Sequence, residues 1–85
     1  MTVLVRYWAS AREVAGTTEE RVAGQTLAEV LDTVRRRHAD RERFTRVLDV
    51  CSVLVDGEPL GRRDPATMTL ADGAEVDLLP PFAGG

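Results

Sequence analysis

The sequence predicts a small α+β domain in which a mixed β-sheet is packed on one face against a single main helix. Three observations point there: a strongly alternating segment at the start, a capped amphipathic segment in the first half, and a second alternating segment just before the last residues, entered through an Asp-Gly turn. The 85 residues make one domain with room for one modest core.

Residues 2–8 alternate Val3, Val5 and Tyr7 with Leu4, Arg6 and Trp8, which predicts a central strand with much of both faces covered. Residues 9–15 are rich in helix formers and stop at Gly16, so one or two helical turns are expected. Residues 17–22, Thr-Thr-Glu-Glu-Arg-Val, read as an edge strand with one wet face, returning antiparallel to the first.

The clearest helix is expected over residues 27–38. Thr26 and Glu29 form a capping box, Leu27, Val30, Leu31 and Val34 line one face, and Arg35, Arg36 and Arg37 suit the negative end of the helix dipole. His38 has no Ser, Cys or metal partner at a telling spacing and is expected on the surface near the helix end. Residues 40–49 carry Phe44, Val47 and Leu48 at partial helical spacing, predicting a short helical turn or loop over the edge of the core.

Residues 51–55 form a short apolar strand and Asp56-Gly57 a tight turn, after which Glu58, Pro59 and Leu60 make only a short edge piece, since proline cannot donate to a ladder. Residues 61–69 are a loop with a turn at Asp64-Pro65, and Asp72-Gly73 turns the chain into a last strand over 74–79. There Val76 and Leu78 face inward, Glu75 and Asp77 outward. A sheet with the first and last strands adjacent and parallel, and the helix across one face, is the β-grasp or ubiquitin-like arrangement. Order along the chain alone leaves other α+β sheets open.

The domain therefore spans residues 1–79, and residues 80–85, Pro-Pro-Phe-Ala-Gly-Gly, are expected to form an extended C-terminal tail. Pro80 and Pro81 fix φ and favour an extended chain, so less entropy is lost when a partner holds it. Gly84 and Gly85 lack a Cβ, can thread a channel too narrow for a side chain and leave the terminal carbonyl open to attack. Six extended residues reach roughly 20 Å, enough to enter a partner's active site. The terminal carboxylate, with an ordinary pKa of about 3.5, is a poor electrophile until another enzyme gives it a leaving group such as AMP; it then accepts sulfur or an amine.

Composition narrows the classes. The net charge is −3, and residues 51–85 hold two Arg against six acids, so the half bearing the tail is acidic and a basic docking surface on a partner is expected, with Glu75 and Asp77 contributing. All eleven cations are Arg, and the interleaved acids argue against a nucleic-acid partner. The absence of lysine excludes Schiff-base chemistry and isopeptide attachment to its own side chains. One cysteine and one histidine support neither a disulfide framework nor an iron–sulfur or structural zinc site, and Cys51 reads as a small core residue. No stretch approaches a membrane span or a secretory leader, so a cytoplasmic protein without a membrane partner is expected.

The segments Val5 to Gly16, Thr26-Leu27, Cys51 to Glu58 and Leu70 to Gly85, the last ending Leu79-Pro80-Pro81-Phe82-Ala83-Gly84-Gly85, resemble the small, sulfur-carrier subunits of molybdopterin synthase, in the MoaD/ThiS-like ubiquitin-like family. Asp56 stands where that family often has Asn, Trp8 where Phe is usual and Ala74 where Asp is frequent. The resemblance implies a non-catalytic carrier subunit of a sulfurtransferase complex. An E1-like adenylating enzyme would use ATP to attach AMP to the Gly85 carboxylate, and a sulfur donor protein would convert it to a thiocarboxylate. The tail would then enter the large synthase subunit and deliver sulfur for molybdenum cofactor biosynthesis.

In this reading no cofactor is bound, Gly85 transiently carries AMP and then sulfur, and Gly84 gives clearance. Leu79, Pro80, Pro81, Phe82 and Ala83 would pack at the partner's mouth, although Phe82 could instead fold back on its own sheet. Two rivals share the fold and the tail: a sulfur carrier for thiamine, cysteine or tRNA thiolation, and a ubiquitin-like modifier joined to target lysines. A plain β-grasp interaction domain would leave the Gly-Gly end unexplained.

Overall fold

Five strands form one mixed sheet in the order β2-β1-β5-β3-β4 in the computed structural model, which describes residues 1–81. In chain order the elements are β1 (Thr2–Tyr7), α1 (Ala9–Ala15), β2 (Glu19–Ala23), α2 (Leu27–Arg37), α3 (Glu42–Val50), β3 (Ser52–Val55), β4 (Glu58–Pro59), a 3-10 turn (Pro65–Thr67) and β5 (Glu75–Leu79). β1 runs antiparallel to β2 and parallel to β5, which is antiparallel to β3. The first and last strands are thus the central pair, and the fold is the β-grasp expected from the sequence.

The alternation of β1 sends Val3, Val5 and Tyr7 into the core, where they meet Val22 of β2 and Val76 and Leu78 of β5. Ala11, Val14 and Ala15 of α1, Leu27, Val30, Leu31 and Val34 of α2, and Phe44 and Leu48 of α3 cover that same set. The opposite face is less covered than expected: Leu4 and Arg6 are half-buried, and Trp8 lies beyond the strand and is 46% exposed. Both predicted ends were one to two residues out at β2, which starts at Glu19 rather than Thr17.

Helix α1 ends where glycine demands it, with Gly16 at φ 76° and its N–H donating to the Arg12 carbonyl. The hairpin between β3 and β4 turns at Asp56 (φ 50°) and Gly57 (φ 85°), two left-handed residues in succession, the pattern that matches strand twist.

The capping box of α2 forms completely. Glu29 N–H donates to Thr26 Oγ1 at 3.2 Å, and Glu29 Oε1 accepts from the N–H groups of Gln25 (2.8 Å) and Thr26 (3.1 Å). These bonds, Gln25's first, hold the Glu29 carboxyl below its ordinary value of 4.5. A depressed acid stabilises the fold above that ordinary value, and the contribution is lost as pH falls through the lower folded value. Thr26→Ala is expected to cost about 1 kcal/mol in urea unfolding at neutral pH. A loss below about 0.3 kcal/mol would mean that packing alone sets this helix start.

Residues 40–49 differ from expectation: α3 is a regular helix of 9 residues. Its N-cap, Arg41, makes no side-chain cap bond, but its guanidinium donates to the Val14 carbonyl at 2.9 Å and so joins α3 to the end of α1. Arg35 pairs with Asp49 at 3.0 Å, tying α2 to α3. His38 is also not the surface residue expected. Its side chain is 12% exposed, stacked on Phe44 with ring centroids 4.3 Å apart, and its Nε2 lies 3.1 Å from Glu20 Oε2. Tyr7 meets both rings edge-on, and its buried hydroxyl has no hydrogen-bond partner among the described residues. Burial first, and then the charge of Glu20, raise the Tyr7 pKa.

Candidate functional site

The site begins where β5 ends. β5 lies between β1 and β3, with Tyr7 opposite Leu78, and Ser52 opposite Leu79. Its inward residues Val76 and Leu78 are buried, as the alternation requires, and the strand delivers Pro80 buried and Pro81 exposed. The chain therefore emerges at Pro81, at the end of the sheet where β1 turns into α1. The remaining expected tail residues, Phe82, Ala83, Gly84 and Gly85, lie outside the described residues.

Glu75 and Asp77 both point to the face opposite the core, but they are not equivalent. Glu75 remains about half-exposed, with its carboxylate 2.8 Å from Arg6 Nη2. Asp77, expected to face out, is covered: it is 7% exposed, its Oδ1 accepting from Arg6 Nε and from Trp8 Nε1, each at 2.9 Å. Of the two acids placed on a docking face, then, only Glu75 presents much surface, and Asp77 belongs to a network with β1. That pairing raises the Arg6 pKa, mainly through its hydrogen bond to Asp77.

Around the exit, Trp8 and Leu79 sit at the same end of the open sheet face. Beside Trp8 a small groove of about 160 Å³ is lined by Arg6, Tyr7, Trp8, Arg12, Thr18 and Glu19. A wider depression of about 610 Å³, lined in part by Met1, Gly24 and Glu29, lies at the start of β1 and hence at the opposite end of the sheet from the exit.

Other candidate chemistry is poorly supplied. Cys51 is half-buried, its Sγ donates to the Val47 carbonyl at 3.2 Å, and burial pushes the thiol up to about 11. It is protonated at neutral pH, as a packing residue would be. Among the described residues no three His, Cys, Asp or Glu side chains stand together as a metal site, and no helix is long and apolar enough to cross a membrane. The arginines of α2 are engaged with acids: Arg35 with Asp49, Arg36 with Asp32, and Arg37 with Glu20.

Comparison with known proteins bears on the whole chain. The ThiS family matches residues 5–85. A molybdopterin synthase sulfur carrier subunit from Chlamydomonas reinhardtii is 31% identical over 85 residues, covering 100% of both chains. Among solved structures, small archaeal modifier protein 1 from Haloferax volcanii aligns with a TM-score of 0.80 at 28% identity over 100% of each chain. A chain in the complex of subunits 1 and 2 of molybdopterin-converting factor from Helicobacter pylori aligns with a TM-score of 0.70 at 25% identity, again over 100% of each.

Proposed function

The chain belongs to the ThiS family, and from that premise we propose that it is a sulfur carrier working as the small subunit of a molybdopterin synthase. The observation that carries the reading is that the family match runs through residue 85 and so includes the Gly84-Gly85 end together with the fold that displays it. The full-length likeness to a molybdopterin synthase sulfur carrier subunit supports the choice of pathway.

The chemistry follows from the terminal carboxylate. An E1-like adenylating enzyme activates it: a carboxylate oxygen attacks the α-phosphate of ATP and pyrophosphate leaves. A sulfide-level sulfur nucleophile delivered by a donor protein then attacks the activated carbonyl, the bond to AMP breaks as AMP leaves, and Gly85 ends as a thiocarboxylate. This chain's contribution is display: β5 anchors the tail at the centre of the sheet, and Gly84 and Gly85 give the clearance a narrow active site requires. In the large subunit the tail would give up its sulfur to the pterin precursor, with Leu79, Pro80, Pro81, Phe82 and Ala83 against the mouth of the site and Glu75 among the charges that guide docking.

The intact mass of the protein purified from its own cells tests this. A species heavier by the difference between sulfur and oxygen, located at Gly85 by fragmentation, is the expected result, and a chain recovered only as the carboxylate from cells actively making molybdenum cofactor would count against it. A second reading, a protein modifier, is favoured by the closer superposition on an archaeal modifier protein than on the converting-factor chain, TM-scores of 0.80 against 0.70. Covalent conjugates through Gly85 to target lysines in a cell extract would support that reading.

A further inference from the structure

We propose that Trp8 and Asp77 are positioning residues for the carrier tail: the hydrogen bond between them fixes the end of β5 against the junction of β1 and α1, and so sets where and in which direction the chain leaves the sheet. This rests on the reading of Gly85 as the carrier group.

Backbone bonding alone leaves the exit half supported. On the β1 side the last bond among the described residues is Trp8 N–H to the Leu78 carbonyl at 3.2 Å, after which the β1 chain has turned into α1. On the other side Leu79 still lies opposite Ser52 of β3. One residue past Leu78, therefore, the chain has a neighbouring strand on one flank only. The side chains of β1 make up the difference. Trp8 Nε1 and Arg6 Nε both reach Asp77 Oδ1 at 2.9 Å, and Arg6 Nη2 lies 3.4 Å from Asp77 Oδ2 while also reaching Glu75 Oε1 at 2.8 Å.

Two features mark this network as more than packing. Asp77 is the one charged residue in the buried class among the described residues, and a carboxylate withdrawn from water is a weak source of stability because desolvation offsets much of what pairing returns. What three fixed donors do supply is a defined orientation. Trp8 is also followed directly by Ala9 at φ 49°, a left-handed conformation rare for a residue with a side chain. The strained bend turns the chain away immediately after the indole and leaves Trp8 at the exit. The direction in which Leu79 leaves the sheet sets the starting direction of every residue after it. Aligned chemistry loses about a hundredfold for a displacement of 1 Å.

The test uses the complete thiocarboxylated protein with the large subunit and the pterin precursor, under single-turnover conditions. Trp8→Phe removes the N–H and keeps an aromatic ring at a position open enough to accept it. The expected result is a transfer rate at saturating large subunit lowered about 5- to 20-fold, with affinity held within about twofold. The 15N order parameter of the Leu79 amide should fall in the same variant. Asp77→Asn, which keeps an oxygen for the indole, should retain more of the rate than Trp8→Phe. Transfer by Trp8→Phe at the wild-type rate, or a deficit that disappears at saturating large subunit, overturns the positioning role alone. Absence of transfer from the wild-type protein overturns the carrier reading and this proposal with it.

Discussion

Deletion of Gly85 is expected to lower sulfur transfer by orders of magnitude while the thermal midpoint of the domain stays where it is. The shortened chain still ends in a glycine carboxylate, chemically almost the same group, but set back by about 3.5 Å. Position is what changes. A site that works by alignment loses about a hundredfold for 1 Å, so a full residue should be ruinous. Among the described residues β5 ends at Leu79, and Pro80 is the last one buried. Adding one residue after Gly85 should be as damaging, which separates misplacement from lost contacts. Gly84→Val should also fail, because a branched side chain would obstruct a channel fitted to glycine. Wild-type transfer from both the shortened and the lengthened proteins, measured with purified partners, would place the carrier chemistry somewhere other than Gly85.

The largest effect on stability is expected from Phe44→Ala. Phe44 is 1% exposed, stacks on His38 and meets Tyr7 edge-on with centroids 6.0 Å apart. Truncating a buried Phe costs about 3–5 kcal/mol, against a total of roughly 4–13 kcal/mol for a domain of this size. The midpoint should fall by at least about 12 °C, read by circular dichroism or calorimetry. A cost below about 1 kcal/mol would show that α3 contributes little to the stability of the core.

That helix is also the element least legible in the sequence. α2 announced itself because its signals are local: a capping box, four apolar residues on one stripe and a basic last turn. α3 has none of the first kind. Its N-cap is an arginine without a capping bond, and its apolar stripe amounts to Phe44, Val47 and Leu48. Contacts from elsewhere make it a helix: Arg41 to Val14, Arg35 to Asp49, and the stacking of Phe44 on His38. The same distinction runs through the site. Alternation placed Val76 and Leu78 inward and Asp77 on the other face correctly, but it could not say that Trp8 and Arg6, some seventy residues earlier, would close over that carboxylate. His38 moved from surface to half-buried for the same reason, since Glu20 and Phe44 are not its neighbours in sequence. The tail is read from its chemistry, since two prolines, two glycines and a terminal carboxylate carry their meaning without a tertiary context, and residues 82–85 lie outside the described ones.

The position of β5 at the centre of the sheet has a consequence for how the protein is made. On the ribosome β1 emerges first, and for most of synthesis its only strand neighbour is β2; β5, which fills its other side, is the last strand to appear. A lone two-stranded hairpin is marginal in water, and one presenting Val3, Val5 and Tyr7 is prone to aggregate. The parallel pairing of β1 with β5 joins residues about seventy positions apart, so the closing step is long-range and comes late. A nascent chain that stalls before β5 has no partial domain to fall back on and remains a substrate for chaperones and proteases. A chain complete enough to fold therefore already holds β5, the strand that leads to Gly84 and Gly85.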